Sequence, residues 1–204
     1  MIVIGLCGGS GSGKTLVCQT ILSLGIPVFE SDAVYHRLIA SPSDCVRDIV
    51  NSFGTAVLDT RTGGIDRRAL SKIVFSDSPD AKERLQCLNH ITHRHVAEAF
   101  YHWRDEKEKS GVACVVLEAP LLFESGLDRL CTVTIAITAP EAIRVARIMA
   151  RDAITREEAE ARITAQRTNK QLEHSCDYTV ENTGTMTEVC DRVSQLIKNI
   201  LNRG

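Results

Sequence analysis

No C-x-x-C pair occurs in this sequence, although it holds eight cysteines, and thiolate metal sites are built on such pairs. Cys7, Cys18, Cys45, Cys87, Cys114, Cys131, Cys176 and Cys190 are scattered and mostly lie inside apolar runs, which argues against a disulfide framework. Reduced thiols in a cytoplasmic protein are expected. Missing too are a basic leader and a long apolar stretch, so neither export nor membrane insertion is expected. Nor is there an excess of positive charge. The 24 Lys and Arg against 26 Asp and Glu leave a formal net charge of -2, whereas nucleic-acid backbones are bound by surplus cations that displace counterions. No internal repeat or low-complexity tract appears. What remains is an ordinary globular composition, 44% hydrophobic and 25% charged, over 204 residues, enough for one well-buried core and short for two independent domains.

The apolar runs point to strands at Ile2–Cys7, Pro27–Phe29, 112–117, Val133–Ile137 and Asp177–Val180, covered on both faces as in a parallel sheet. Helices are expected between them: 14–24, 32–40, one started by Ser41-Pro42 and ending near Gly54, 66–75, and a long amphipathic one from Ser78-Pro79 to Gly111. The stretch from Pro140 to Asn169 reads as helical, with a capping box at Thr155-x-x-Glu158. A second box, Thr185-x-x-Glu188, starts the last helix. Alternating strands and helices predict an α/β three-layer sandwich around a parallel sheet of about five strands, with ligands at the carboxyl ends of the strands.

Gly8-Gly9-Ser10-Gly11-Ser12-Gly13-Lys14-Thr15 fits G-x-x-x-x-G-K-[ST] between an apolar strand and a helix, the pattern of a phosphate-binding P-loop. Glycines let the N–H groups of Gly9 through Gly13 curl around phosphate oxygens. Lys14 supplies a point charge, and Thr15 offers a hydroxyl to Mg²⁺. ATP and Mg²⁺ are therefore the expected ligands. A switch GTPase would also carry N-K-x-D, but Asn169-Lys170-Gln171-Leu172 lacks the aspartate, and no aspartate is followed three positions later by glycine. Phosphoryl transfer to a small molecule is favoured over signalling.

Glu30-Ser31-Asp32 follows the second strand, and either carboxylate is a candidate base for an acceptor hydroxyl. Asp32 is also a candidate helix cap. Glu118 ends a strand-like run, where an acidic residue is unexpected without a partner, and an active-site or metal-water role is favoured for it. Glu124 is as suited to a salt bridge. Arg144, Arg147, Arg151, Arg156, Arg162 and Arg167 gather between the fourth and fifth strands; they are either a solvated face paired with glutamates or a lid that neutralises phosphoryl charge. Arg147 and Arg151 are the first choices for the second role. His90, His93 and His95 with Cys87 lack the remaining ligands of a metal cluster and are read as surface or substrate-contacting residues.

Together these pieces resemble the dephospho-CoA kinase family, of the nucleoside-monophosphate-kinase-like group of P-loop folds. Besides the phosphate loop, the resemblance rests on Gly64-Ile65-Asp66-Arg67-Arg68-Ala69-Leu70, Leu88-Asn89-His90-Ile91-Thr92-His93 and Pro120-Leu121-Leu122-Phe123-Glu124. It continues through Arg147, Arg151, Ala161-Arg162-Ile163-x-x-Gln166, Asp177 and Asn182-x-Gly184. It implies a single P-loop kinase domain with an ATP-binding core at about 1–31, 111–140 and 173–204. A helical region at about 32–110 would receive dephospho-CoA, with Asp66, Arg67, His93, Glu118 and Arg162 as binding residues, and a lid would span about 141–172. The reaction implied is phosphorylation of the ribose 3′-hydroxyl, with Asn182 near the adenine of ATP, in a monomer or small homo-oligomer. Rival readings are another small-molecule kinase of this architecture and a nucleotide-binding regulator without catalysis. The chain departs from the family pattern at Glu30, where an Asp is usual, and at Arg94 for Pro, Cys131 for Asp, Arg144 for Gln and Cys176 for Ala.

Overall fold

The structure, a computed structural model, describes residues 1–203. Ile2–Cys7 forms β1, with every residue after Ile2 buried, as a strand apolar on both faces requires. Val28–Glu30 (β2), Cys114–Glu118 (β3), Val133–Thr138 (β4) and Tyr178–Glu181 (β5) join it in the order β2-β3-β1-β4-β5. The sheet is all parallel and flanked by helices, as the alternation predicts. Register places Ile4 beside Val116 and Val133, and Ala136 beside Thr179.

The helices are α1 (Lys14–Ser23), α2 (Ser31–Ala40), α3 (Asp44–Phe53), α4 (Arg67–Val74), α5 (Ala81–Lys109), α6 (Glu141–Asp152), α7 (Arg156–Thr164), α8 (Asn169–Ser175) and α9 (Met186–Leu201). Both expected capping boxes are present at α7 and α9. Two details differ from expectation. Pro42 is not in the first turn of α3; the helix starts at Asp44 because the Ser43 side chain accepts from the Val46 N–H at 3.1 Å, satisfying a donor that the first turn leaves open. The helical stretch expected from Pro140 to Asn169 does not run through to its end, since α7 stops at Thr164. It breaks and restarts as α8 behind a third capping box, in which Thr168 pairs with Gln171.

The chain divides into two compact units, Met1–Phe29 together with the chain from Lys107 on, and Glu30–Glu106. In the first, Ile4, Leu6, Val116, Ile135 and Ile137 of the sheet pack against Val17 and Ile21 of α1 and Val193 and Ile197 of α9. In the second, Ile39, Ile49, Val57, Leu70, Leu88 and Ile91 form the core. Phe100 of α5 is fully buried and its ring stands 6.1 Å from that of Trp103. Phe100→Ala is expected to cost about 3–5 kcal/mol, the lost transfer energy plus the cavity left behind, read as a lower urea midpoint with unchanged slope. Among the described residues no helix is long and apolar enough to cross a membrane.

Candidate active site

β1 delivers the chain at full burial into the glycine loop, and α1 leaves it at Lys14. Gly11 (φ 75°) and Gly13 (φ 92°) take left-handed backbone conformations that disfavour side chains. At Gly13 a Cβ would also stand 1.8 Å from Asn182 Nδ2. The loop's carbonyls are all turned back onto the protein. Gly8 O accepts from Lys14 Nζ at 2.7 Å, Gly9 O from Ser12 N at 3.1 Å, and Ser10 O from Arg144 Nε at 2.9 Å. Gly11 O accepts from Arg147 Nη1 at 3.2 Å, and Ser12 O from Asn182 Nδ2 at 2.7 Å. With the carbonyls held this way, the N–H groups of Gly11, Gly13, Lys14 and Thr15 have no protein acceptor among the described residues. Open donors at a helix N-terminus, where the helix dipole is positive, make an anion site.

A second observation points to the same ligand. Ser12 is 1% exposed, and its Oγ is the one buried side-chain polar atom without a hydrogen-bond partner among the described residues. Buried polar atoms are almost always satisfied, so the loop is complete only with an acceptor or donor brought from outside. Polyphosphate fits this cradle. Mg²⁺ prefers hard oxygen ligands, and Thr15, exposed in the first turn of α1, and the buried Glu118 supply a hydroxyl and a carboxylate.

Glu118 Oε1 lies 3.8 Å from Lys14 Nζ, which explains an acidic residue at a buried strand end. Gln166 braces the loop from the turn after α7, accepting from Ser10 N at 2.8 Å and donating to Ser10 Oγ at 3.0 Å. Arg144 is buried without a carboxylate in contact; its remaining nitrogens reach Gln166 Oε1 at 3.1 Å and Asn169 Oδ1 at 3.4 Å. Burial pushes its guanidinium below the ordinary arginine range. Two of the residues that organise the loop, Arg144 and Asn169, were not singled out as binding residues from the sequence.

A family model described as dephospho-CoA kinase matches residues 2–188 of this chain. The chain belongs to the dephospho-CoA kinase family. It is 35% identical over 196 residues to the dephospho-CoA kinase of Bacillus licheniformis, covering 96% of this chain and 95% of that one. It is 40% identical over 167 residues to that of Moorella thermoacetica, covering 81% and 76%. A crystal structure of a Thermus thermophilus protein superposes with a TM-score of 0.81 at 34% identity, covering 98% and 97% of the two chains. At 15% identity, a shikimate kinase from Acinetobacter baumannii shares the fold, with a TM-score of 0.55, covering 100% of this chain and 94% of that one.

In this dephospho-CoA kinase family member the other expected site residues are placed as follows. Glu30 ends β2 and stands at the N-cap position of α2, with Asp32 in the first turn; both are exposed, and no side chain caps the helix. Asp66 caps α4, accepting from Arg68 N and Ala69 N at 2.9 and 3.1 Å. Arg67 lines a cavity of about 740 Å³ with Tyr35, Lys72 and Phe75. His93 is half-buried on α5. His95 is not a surface residue: it is buried, with Asp48 Oδ2 at 2.8 Å and Glu98 Oε2 at 3.4 Å.

Arg151 and Arg162 both meet Asp152 rather than the loop, Arg151 through Nε and Nη2 at 2.7 and 2.8 Å. Those hydrogen bonds with Arg151, joined by Arg162, hold the Asp152 carboxyl at about 2. Its native value is depressed, so the contribution to stability is complete above the unfolded value of about 4 and disappears as pH falls through about 2. Carbon-detected NMR is expected to find Asp152 still ionised at pH 3. A midpoint near that of a free aspartate would contradict the pairing.

Proposed function

We propose that this protein transfers the γ-phosphoryl group of ATP to the ribose 3′-hydroxyl of dephospho-CoA, giving coenzyme A. The observation that carries the reading is the loop itself: in a chain of the dephospho-CoA kinase family, every carbonyl from Gly8 to Ser12 is tied back, leaving a set of open N–H donors. Gly9 to Thr15 and Asn182 form the ATP site, with the Asn182 amide acting through Ser12 O.

Lys14 exchanges its internal carbonyl for phosphate oxygens and carries their charge toward the transition state. Arg147 adds charge beside the loop, and Arg151 does so once its carboxylate partner is given up. Glu30 or Asp32 takes the proton of the attacking hydroxyl. The Thr15 hydroxyl and the Glu118 carboxylate would hold Mg²⁺, which when bound would supply Lewis-acid stabilisation of the charge on the phosphate oxygens. Asp66, Arg67, His93, Glu118 and Arg162 hold the acceptor. A helical region at about 32–110 and a lid at about 141–172 serve these two ligands, with core segments at about 1–31, 111–140 and 173–204.

The partner is a small molecule; the reading requires no nucleic acid and no membrane. A cytoplasmic monomer or small homo-oligomer is its setting. An ADP-release assay on the purified chain tests the assignment. Saturable turnover is expected with dephospho-CoA. Turnover with a nucleoside monophosphate or shikimate and none with dephospho-CoA would reject the acceptor, and ATP binding without turnover on any acceptor would favour a regulator.

A further inference from the structure

Three cysteines meet on the sheet face opposite the α1 and α9 core, beside the phosphate loop and outside its donor set. Cys7 ends β1 one residue ahead of Gly8 and is fully buried; its sulfur lies 3.5 Å from that of Cys176, which is half-buried in the turn between α8 and β5. Cys131 packs on the same face, its sulfur 2.7 Å from where a Cβ at Gly5 would stand, and donates to Leu127 O at 3.4 Å. None of these thiols has a part in phosphoryl transfer. We propose that Cys7 and Cys176 form a peroxide-reactive thiol pair, and that its oxidation to a disulfide disables the phosphate loop.

The environments divide the two chemical roles. The Cys7 and Cys176 sulfurs share one hydrogen bond; that bond pulls the Cys176 thiol below the ordinary range, with Thr134 and Arg167 adding to the effect. The same bond and burial raise Cys7. The thiolate is the nucleophile, and it needs solvent access; of the two, Cys176 is the one only half-buried and the one whose thiol is lowered. Its sulfur attacks one oxygen of hydrogen peroxide, forming the S–O bond of a sulfenic acid as the O–O bond breaks and hydroxide leaves. Cys7 then yields its proton to that hydroxide, and its sulfur displaces the second hydroxide from Cys176. That hydroxide takes up a proton from solvent. Two thiols and one peroxide become one disulfide and two waters, with the sulfurs together losing two electrons. Cys131, pushed up to about 12 chiefly by burial, is the poorer nucleophile.

Bond formation draws the sulfurs together by about 1.5 Å. Cys7 is paired in register with Ala136 of β4, so a pull on its side chain is passed along the backbone to the next residue, Gly8. That residue has little slack: a Cβ there would stand 2.4 Å from Ile137 O, and its carbonyl is the acceptor for Lys14. Moving Gly8 shifts the loop's first carbonyl away from Lys14 and misaligns the donors that follow.

The test uses the full chain treated with hydrogen peroxide, then unfolded in N-ethylmaleimide and mapped by mass spectrometry, with magnesium-ATP binding measured calorimetrically on the same sample. A Cys7–Cys176 cross-linked peptide is expected, with affinity at least tenfold weaker and restored by dithiothreitol. Cys176→Ala should bind nucleotide when reduced and ignore peroxide; Cys131→Ser should behave as the unaltered chain. Cys7 recovered as the maleimide adduct after oxidation, or a Cys131–Cys176 link instead, would overturn the pairing. A formed link with unchanged ATP affinity would overturn its effect on the loop. Cross-linking is read by mass whatever acceptor the enzyme uses, so this result stands apart from the kinase assignment.

Discussion

Lys14→Ala is expected to lower kcat for phosphoryl transfer by at least about 10²-fold, the scale for losing a preorganised charge at a developing oxyanion. Among the described residues, the two arginines bonded to the loop are already engaged with its carbonyls. Arg144 is buried on Ser10 O, Gln166 and Asn169, and Arg147 is bonded to Gly11 O and Ser12 O. Removing the ammonium also strips Gly8 O of its donor and Glu118 of a cation 3.8 Å away. The loop therefore loses shape as well as charge, and weaker ATP binding should accompany the slower step. Lys14→Arg is not expected to rescue: a planar guanidinium is broader than a point ammonium and cannot occupy the same gap between a carbonyl and a carboxylate. Steady-state kinetics and calorimetry on the same preparations, with Tm as a folding control, decide the matter. A variant that folds normally and turns over within threefold of the parent would remove Lys14 from the mechanism.

The phosphate loop was legible in the sequence because each of its residues has a local reason: an apolar strand before, glycines for the turn, a lysine and threonine at the helix start. The sheet was legible for the same cause, since strands buried on both faces appear as unbroken apolar runs. Arg144 was not. Six arginines lie between β4 and β5, and their spacing alone does not tell which are turned inward. Burial at 3% and a contact 134 residues away in sequence, Ser10 O, single it out. Arg151, two helical turns further along α6, has Asp152 beside it and pairs there. His95 poses the same problem, since Asp48 sits 47 residues from it on another helix. The short α8 was missed because seven residues are too few to show a helical period, and its capping box uses Gln171 where Glu is the more familiar signal.

The second large effect concerns the proton. Glu30→Gln and Asp32→Asn are expected to separate cleanly: the amide at the base should lower kcat by about 10²–10⁴-fold, and the amide at its neighbour by less than tenfold. Both carboxylates are exposed at the start of α2, and neither is spent on capping it, so neither substitution should cost the fold a hydrogen bond. That frees the kinetic contrast from a stability artefact. Reach is the physical distinction. Glu30 carries one methylene more than an aspartate, and a displacement of about 1 Å at a reacting atom is worth on the order of 10²-fold. If Glu30 is the base, Glu30→Asp changes kcat while Asp32→Asn leaves it near the parent; if Asp32 is the base, Glu30→Gln is nearly silent and Asp32→Asn is not. Both amides retaining full kcat would mean that neither carboxylate takes the proton. Both losing acceptor affinity with kcat intact would make the pair a binding device instead, because a base acts on the chemical step and not on the ground-state complex.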